Sequence, residues 1–410
     1  MNLGIMGAGA EGSGLSALLA DEPGVDRIAL ADVDEGRLAL ARERFDGLGR
    51  ETELTASVVD AGDGEAVGAW AGDLDAVVNA TMPHLNLSVM DGCLRGGAHY
   101  MDLNSGPFEV EGMIPRSDTI DAQFELDRSF AAAGLTAVSC AGVAPGWVDL
   151  AARRAIEGLT AAESVTVRWV ERNDGSDLVS TVGPSLIPYF NMPTPMRWEH
   201  GEVVEVDLLD SEEVYEWPEL GPISVFTGFM HPEMRTMHNL GADLQRVEVK
   251  SGLSNGRWRS SRDIWIEALR KQLASDEPTD DTDLPTILGR SFIPPERYDE
   301  ALADGTVSEG AFAVCVEVVG SKDGREVVHT QGLIVSLAEA RAKIPWGTHM
   351  VYATSGTTPV VLLPMLGGGE ISDKGVVGVG ALAEWRQILE AVEARGLRTW
   401  ETVESRGPEV

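Results

Sequence analysis

Cysteine is scarce in this chain of 410 residues, which contains only Cys93, Cys140 and Cys315. These three residues form no CxxC pair, so the sequence predicts neither a disulfide framework nor a cysteine-rich metal site. No run of 18 or more uncharged apolar residues occurs, and the chain opens on a glycine-rich stretch that lacks the basic and apolar regions of a signal peptide. We therefore expect a soluble, cytoplasmic protein.

Basic side chains are also few: 32 Lys and Arg stand against 66 Asp and Glu, which gives a formal net charge of −34. Only five of the basic residues are lysine. A field of this sign repels phosphate backbones and anionic lipid headgroups. We therefore expect no nucleic-acid or membrane partner, and we look for a small-molecule ligand.

The length predicts two or three domains, and the hydrophobic fraction of 43% is typical of globular proteins. Short apolar runs alternate with amphipathic stretches over the first 150 residues, which predicts repeated βα units and a parallel sheet. Asp34 stands where an N-cap is expected. The predicted strands are 3–6, 27–31, 54–59, 76–80, 99–103 and 136–139, and the predicted helices are 11–20, 35–45, 64–71, 85–95 and 120–133.

The pattern changes after Pro145-Gly146. Longer polar strands and turn clusters follow, which predicts a mixed or antiparallel sheet. An Asp-Gly turn at 323–324 between two alternating runs indicates a β-hairpin. The predicted strands here are 164–171, 201–207, 311–320 and 325–333, an exposed loop is predicted at 274–285, and late helices are predicted at 357–366 and 382–395.

A GxGxxG motif follows the first predicted strand and opens the first predicted helix. Its glycines permit a tight turn, close approach of a pyrophosphate and close packing of the helix on the strand. The diphosphate of a dinucleotide would bind the N–H groups of the helix N-terminus. The motif consists of Gly7, Ala8, Gly9, Ala10, Glu11 and Gly12.

Asp32 ends the second predicted strand, 20 residues beyond the motif, where a carboxylate binds ribose hydroxyls and repels a 2′-phosphate. No arginine occupies position 33 or 34, although Arg37 lies one helical turn further on. We therefore predict NAD in preference to NADP, without excluding NADP. Asp60 ends the third predicted strand and either approaches the adenine or caps the next turn.

The fourth predicted strand runs into a loop at the carboxyl edge of the sheet, beside the point where strand order reverses. The nicotinamide half of a dinucleotide lies there in doubly wound folds. His84 either begins the next helix or faces the substrate. The residues predicted to line the cofactor are Asn79, Ala80, Thr81, Met82 and Pro83.

Seven segments of the chain carry a resemblance to a known family. They are GAGAEG at 7–12, DAVVNATMP at 75–83, HYMDL at 99–103, GVAPG at 142–146, the turn within 197–206, KDG at 322–324 and GEISDKGVV at 369–377. These segments resemble the saccharopine dehydrogenase family, and within it the branch that contains lysine 6-dehydrogenase and carboxynorspermidine dehydrogenase. The chain departs from the family pattern at Ala144, where many relatives carry an acid, and after residue 377, where Pro-Glu is absent.

The resemblance implies an α/β fold, with an N-terminal Rossmann doubly wound parallel sheet and an α+β domain whose mixed sheet binds substrate and mediates dimerisation. We expect a Rossmann domain at 1–148, a substrate and dimerisation domain at 149–350, and a C-terminal helical segment at 351–410 that packs back on the Rossmann domain. The resemblance also implies a homodimer. Its members transfer a hydride between nicotinamide and a carbon that bears nitrogen, in an amino acid, opine or polyamine derivative.

Such chemistry needs a group that exchanges a proton near the imine nitrogen. Tyr100 and Asp102 are the first candidates because their spacing places them on one face of a strand, although ordinary packing explains Tyr100 equally well. Cys140 is a third candidate, with burial as a small apolar side chain as the alternative. Two groups of side chains are candidates for anchoring the substrate: Arg235, Thr236 and His238 with Asn239 and His231, and Arg197 and Asn191 with Tyr189.

Arg235 in particular is predicted to bind a substrate carboxylate, since arginine matches both oxygens; a surface ion pair with Glu233 is the alternative. We expect no metal, because His231 and His238 are seven residues apart and lack acidic partners. Two other functions stay open at this point. One is a transferase that recycles NAD, as relatives of homospermidine synthase do, and the other is a non-catalytic NAD-binding sensor.

Overall fold

A computed structural model describes residues 1–106, 108–109, 114–181, 195–208, 210–228, 231–255, 261–273 and 291–407. Two compact units make up the chain, and both are discontinuous in sequence. The first contains Met1–Gly158, His231–Ala242 and Val351–Leu397, and the second contains Leu159–Met230, Asp243–Met350 and Arg398–Val410.

Seven parallel strands form the sheet of the first unit. They are β1 (Asn2–Met6), β2 (Arg27–Asp32), β3 (Glu53–Val58), β4 (Ala76–Asn79), β5 (His99–Asp102), β6 (Thr136–Ser139) and β15 (Gly375–Gly378). Their order is β15-β6-β5-β4-β1-β2-β3, which reverses between β1 and β4 as in a doubly wound dinucleotide fold. Strands β4, β5 and β6 are almost wholly buried, which is why they read as apolar runs without alternation.

The second unit contains a mixed nine-stranded sheet. Its strands are β7 (Ala161–Gly175), β8 (Met196–Glu199), β9 (Glu202–Glu205), β10 (Glu213–Trp217), β11 (Gly221–Thr227), β12 (Arg246–Ser254), β13 (Val307–Lys322), β14 (Arg325–Ser336) and β16 (Arg398–Arg406). Their order is β10-β11-β12-β7-β13-β14-β16, and β8 and β9 attach through β12. The pair β12–β7 is parallel and its neighbours are antiparallel. A parallel sheet together with a mixed sheet confirms the predicted fold class.

Fourteen α-helices are present in the described residues, and several begin as the sequence predicts. They are α1 (Ala10–Leu19), α2 (Glu35–Asp46), α3 (Gly64–Ala71), α4 (Asn86–Gly96), α5 (Ile120–Phe124), α6 (Asp127–Ala132), α7 (Trp147–Glu157), α8 (Glu233–Thr236), α9 (Ser261–Leu273), α10 (Tyr298–Ala303), α11 (Leu337–Lys343), α12 (His349–Ser355), α13 (Thr358–Gly367) and α14 (Trp385–Glu393). The carboxylate of Asp34 accepts hydrogen bonds from the N–H groups of Gly36 and Arg37, so it is the N-cap that was predicted.

The predicted hairpin is confirmed: β13 and β14 pair in antiparallel register from Ala311–Ser336 to Lys322–Arg325. Asp323 and Gly324 have φ of 53° and 75° in its turn, the backbone that a tight hairpin requires. Two other elements differ from the prediction. The helix predicted at 120–133 divides where Leu126 N–H bonds to Gln123 O. The strand predicted at 201–207 is present as the shorter β9, and it pairs with β8, which was not predicted, across a turn at His200 and Gly201.

The C-terminal region also differs from the expected helical segment at 351–410. Residues 375–378 add β15 to the parallel sheet, and 398–406 form β16, which pairs with β14 in the second sheet. The β-branched and aromatic residues Thr399, Trp400, Thr402 and Val403 in β16 favour a strand. The loop predicted at 274–285 lies outside the described residues. No described helix is long and apolar enough to cross a membrane.

Gly332 in β14 lies against the indole of Trp400 in β16. An ideal Cβ at position 332 would lie 2.1 Å from Trp400 Cζ2, so any side chain there must displace the ring. We expect Gly332→Ala to lower the free energy of unfolding by about 1–3 kcal/mol through overpacking. Urea denaturation measures the change. Gly72→Ala is the control because the nearest atoms to that Cβ are 3.7 Å away; equal stability of the two variants would contradict the prediction.

Candidate active site

The glycine-rich loop joins β1 to α1 and has the shape that a diphosphate needs. Gly7 has a φ of 106°, which only glycine adopts without strain, and a Cβ on Gly12 would lie 1.8 Å from Gly7 O. Gly9, by contrast, has no atom within 4 Å of the place where a Cβ would project. The loop is therefore closed toward the sheet and open at Gly9, beside the N–H groups that begin at Ala10.

Asp32 is fixed beside this loop and is 8% exposed. Its Oδ2 accepts a hydrogen bond from Ala8 N–H at 2.7 Å, and its Oδ1 accepts one from Asp34 N–H at 2.9 Å. The carboxylate thus holds both the glycine-rich loop and the start of α2. Each oxygen can accept a further hydrogen bond, so ribose recognition is compatible with this arrangement.

Glu11 lies in the first turn of α1, where its carboxyl Oε2 accepts a hydrogen bond from Ser355 Oγ at 2.8 Å. Desolvation raises the pKa of Glu11 to about 8, and hydrogen bonds from Ser355 and Thr354 oppose that effect. A neutral carboxyl at this position does not repel a diphosphate, whereas an ionised one would.

The loop after β4 contacts the glycine-rich loop. A Cβ on Gly7 would lie 2.9 Å from Ala80 O and 3.0 Å from Thr81 Cγ2. Asn79 shapes this loop, since its Oδ1 accepts from Thr81 N–H and Oγ1 while its Nδ2 donates to Asn86 Oδ1. Asn79 and the four residues after it are the ones predicted to line the cofactor: Ala80, Thr81, Met82 and the buried Pro83.

Two of the predicted side chains, those of His84 and Asp60, are exposed to solvent. His84 is exposed in the short helical turn Pro83–Leu85. Asp60 is exposed and its Oδ1 accepts a hydrogen bond from Gly62 N–H at 2.8 Å, which is the turn-capping geometry that was considered as its alternative role.

Asp102 ends β5 and is completely buried at the carboxyl edge of the sheet. Its Oδ2 accepts hydrogen bonds from Tyr100 OH at 3.1 Å and Gln123 Nε2 at 2.6 Å, and its Oδ1 accepts one from Cys140 N–H at 2.8 Å. Burial raises the pKa of Asp102 to about 7, although all three hydrogen bonds act to lower it. The structure therefore brings the three predicted catalytic candidates together, and burial brings the pKa of Asp102 close to neutral pH.

The pKa values of Tyr100 and Cys140 are raised further, so both side chains stay protonated. Burial and the Asp102 charge raise the pKa of Tyr100 well above 10. Burial and the charges of Asp102, Asp149 and Glu233 raise the pKa of the Cys140 thiol well above 9. A thiol in these surroundings does not ionise readily, so its thiolate chemistry is suppressed.

Two further buried acids belong to this region. Asp149, in the first turn of α7, accepts hydrogen bonds from Gly146 N–H at 2.8 Å and from Thr236 Oγ1. Glu233 has no exposed surface and pairs with His231 Nδ1. Burial, with the Glu233 charge as the second cause, raises the pKa of Asp149.

The sequence analysis did not include Asp149 or Glu233 among the site residues. Asp149 follows Gly146 by three residues, the position from which an acidic side chain accepts a hydrogen bond from the N-cap N–H, and that signal could have identified it. Glu233 was considered only as a surface partner of Arg235. That pairing is wrong in the structure, because Glu233 pairs with His231 instead.

Arg235 pairs with Asp121, its Nε lying 2.7 Å from Asp121 Oδ1, and its guanidinium lies 5.6 Å from the centre of the Phe124 ring. Its proposed substrate contact stays a prediction. His238 is half-buried, and desolvation and the Arg235 charge lower its pKa. Arg197 lies in β8 of the second unit and pairs with Glu199, while Asn191 and Tyr189 lie outside the described residues. No group of three or more described His, Cys, Asp and Glu residues could hold a metal.

The raised pKa of Asp102 predicts how stability varies with pH. An unfolded Asp ionises near pH 3.8, so the folded state binds more protons than the unfolded state between about pH 4 and pH 7. Stability contributed by this group is present below pH 4 and is lost as pH rises through 7. At one pKa unit per 1.4 kcal/mol, we expect Asp102→Asn to be more stable than the parent by roughly 2–4 kcal/mol at pH 8.

Chemical denaturation of both proteins at pH 5 and pH 8 measures this difference. Comparing the two proteins at each pH cancels the contributions of Glu11 and Asp149, which titrate in both. Gln123 Oε1 accepts no hydrogen bond in the described structure, so a rotated Gln123 amide can receive the N–H of an amide introduced at position 102. A stability difference that does not change between pH 5 and pH 8 would show that Asp102 is ionised throughout.

Comparisons with known proteins agree with this geometry. Residues 3–138 match the family model described as the saccharopine dehydrogenase NADP binding domain. The carboxynorspermidine synthase of Vibrio alginolyticus is 25% identical over 360 residues, which cover 84% of this chain and 82% of that protein. The carboxynorspermidine synthase of Vibrio cholerae is 23% identical over 285 residues, covering 67% of this chain and 65% of that protein.

Among solved structures, the saccharopine dehydrogenase (L-Glu forming) of Saccharomyces cerevisiae is similar over 98% of this chain and 99% of its own, with a TM-score of 0.67. Its sequence identity is 14%, so this likeness concerns the fold. The first unit therefore carries an NAD(P)-binding domain, as the glycine-rich loop predicted. The chain is thus similar to the saccharopine dehydrogenase family in its NADP binding domain, and to a carboxynorspermidine synthase over 84% of its length.

Proposed function

We propose that this protein transfers a hydride between nicotinamide and a carbon that bears nitrogen, in an amino acid, opine or polyamine derivative. The observation that carries the proposal is Asp102, a buried carboxyl with a pKa of about 7 at the carboxyl edge of the sheet. Oxidation of an amine or reduction of an imine requires one proton to be moved near the nitrogen, and a group that titrates near neutral pH does this best.

The glycine-rich loop fits the cofactor. The space at Gly9 and the N–H groups of α1 would hold the diphosphate, and Asp32 would hold the adenosine ribose. The residues from Asn79 to Pro83 would line the nicotinamide half. When bound, the nicotinamide supplies or accepts the hydride.

Asp102 would accept the proton that leaves the substrate nitrogen and return it in the reverse reaction. Tyr100 OH and Gln123 Nε2 donate to the same oxygen, Oδ2, and so fix the carboxyl in one orientation. The Cys140 N–H holds the other oxygen. Asp149 and Glu233 would keep the region negative and favour a substrate that carries positive charge on nitrogen.

The relatives support a nitrogen-bearing substrate. Two of them are named carboxynorspermidine synthases, which implies an amine that carries a carboxylate. At 23–25% identity this supports the class of substrate and leaves the individual compound open. Arg235 stays our candidate for the carboxylate.

Turnover tests the proposed reaction directly. We expect NADH to appear when the protein receives NAD and a member of a panel of amino acids, opines and diamines, and the same substrate to be consumed. A transferase that recycles NAD would consume substrate without NADH, and a sensor would change neither. Activity on a simple hydroxy acid alone, with none on any amine or imine, would overturn the proposal.

Asp102→Asn should lower kcat by about 10²- to 10⁴-fold, the usual contribution of a general acid or base. Its dissociation constant for NAD should stay unchanged because Asp102 lies outside the glycine-rich loop. Unchanged kcat would assign proton transfer to another group, with the pair of Asp149 and Glu233 as the next to vary.

For the cofactor, we propose that NAD binds more tightly than NADP, although the matching family model is named for NADP. Asp32→Asn keeps the side-chain shape and removes the charge that would repel a 2′-phosphate. We expect the dissociation constant for NADP divided by that for NAD to fall about tenfold, equivalent to about 1.4 kcal/mol.

Titration of both cofactors into both proteins measures the ratio. Asp63→Asn is the matched control, since Asp63 is the N-cap of α3 and Asn caps a helix equally well. Tighter binding of NADP than NAD by the unmodified protein would disprove the preference.

A further inference from the structure

We propose that one face of the second sheet binds an alkylammonium group, with Glu171, Phe312 and His349 as the residues that contact it. This inference goes beyond the proposed function, since the site lies wholly within the second unit and would bind an amine whether or not that amine is oxidised. We call these three residues, with Trp169 and Asn173, the Glu171 cluster. All five belong to the second unit.

Glu171 is a buried carboxyl whose hydrogen-bond partners are neutral. It is 5% exposed, and its Oε1 accepts a hydrogen bond from Asn173 Nδ2 at 2.5 Å. Thr181 is its other hydrogen-bonding neighbour. Within the described part of the chain, no Lys, Arg or His forms an ion pair with it. Neutral donors do not cancel the charge of a buried carboxylate, so a cation brought by a ligand would be favoured here.

Aromatic rings flank this carboxyl on the same face of the sheet. Phe312 in β13 stands directly opposite Glu171 in β7, and such antiparallel partners have Cβ atoms roughly 4.5–5.5 Å apart. Trp169, two residues before Glu171, stacks on Phe312 with ring centroids 6.3 Å apart. Ammonium groups favour the faces of aromatic rings, and their alkyl carbons favour the same apolar surroundings.

His349 supplies the second observation that points to a ligand. It has no exposed surface, and neither ring nitrogen has a hydrogen-bond partner in the described structure. Its position follows from Gly310, which stands opposite Asn173. A Cβ on Gly310 would lie 2.6 Å from His349 Cε1 and 2.7 Å from Nδ1, so the imidazole lies over Gly310 on the face that carries Asn173 and Glu171.

The chemistry of these groups selects the ligand. A primary ammonium has three N–H donors, and the cluster offers a carboxylate oxygen and the acceptor nitrogen of an imidazole. Burial lowers the pKa of His349 to about 3, so the ring stays neutral and does not repel a cation. A carboxylate or phosphate ligand would meet the Glu171 charge and is disfavoured. A buried polar group without a partner destabilises the fold, and an amine would satisfy it.

Calorimetric titration of the NAD-saturated protein with 1,3-diaminopropane and norspermidine tests the site without requiring turnover. We expect both amines to bind, and 1,3-propanediol, which is neutral and of similar size, not to bind. Glu171→Gln should weaken amine binding about 10- to 100-fold, since it removes a hydrogen bond to a charged group.

Glu317→Gln is the matched control, because Glu317 lies in β13 on the opposite face of the sheet and pairs with Arg168. It should bind both amines as the parent does. If Glu171→Gln fails to fold, His349→Phe and Phe312→Leu replace it. They preserve buried apolar volume while removing the imidazole acceptor or the aromatic face, and each should weaken binding at least several-fold.

The outcomes separate this site from the proposed reaction. Amine binding that depends on Glu171, without NADH formation from any amine, would support the site and contradict the reaction. NADH formation with unchanged amine affinity in the Glu171 variant, or in both replacement variants, would overturn the site and leave the reaction standing. Equal loss of amine binding in Glu317→Gln would also overturn the proposed site, since both substitutions would then act by perturbing the folded structure and not by removing a ligand contact.

Discussion

Removing carboxyl groups from water is the constraint on which the organisation of this protein depends. Most of its 66 acidic side chains can keep their hydration at the surface, and a net charge of −34 is tolerated there. Asp102 and Glu171 cannot, since both are buried. For each of them the surrounding structure must provide hydrogen-bond donors, allow a bound proton, or admit a cation. Those three solutions are chemically different, and they determine what each region can do.

Much of the fold could be predicted because the relevant signals are local. The strands of the parallel sheet read as short apolar runs, Asp34 caps its helix, and the Asp-Gly turn fixes the long hairpin. The elements that were missed depend on distant pairing. The four residues of β15 form a strand because they pair with β6, and the nine residues of β16 form one because they pair with β14. In both cases the partner strand lies much earlier in the sequence. Local secondary-structure propensity does not predict pairing between strands that are distant in sequence.

The residues of the candidate site also fall into those that local spacing predicts and those that depend on distant contacts. The glycine-rich loop, Asp32 and the pair of Tyr100 and Asp102 could be predicted, because each follows from spacing within one βα unit. Glu233 could not, since it is far from Asp149 in the chain, and only the folded structure makes the two charges interact. Its partner was also unpredictable: a sequence offers Glu233 both His231 and Arg235 as neighbours two residues away, and burial decides between them.

The two buried carboxyls differ in what the structure leaves for a ligand to do. Around Asp102, Tyr100 OH, Gln123 Nε2 and Cys140 N–H occupy both oxygens, and their stabilisation of the charged form opposes desolvation so that the pKa stays close to 7. A group balanced in this way passes a proton in either direction with little change in free energy. Around Glu171 the donors come from Asn173 and Thr181, aromatic rings lie on the same face of the sheet, and His349 has an imidazole without a partner in the described structure. A cation with several N–H groups would stabilise that arrangement. One physical constraint thus underlies both the proton exchange proposed for Asp102 in the first unit and the cation binding proposed for Glu171 in the second.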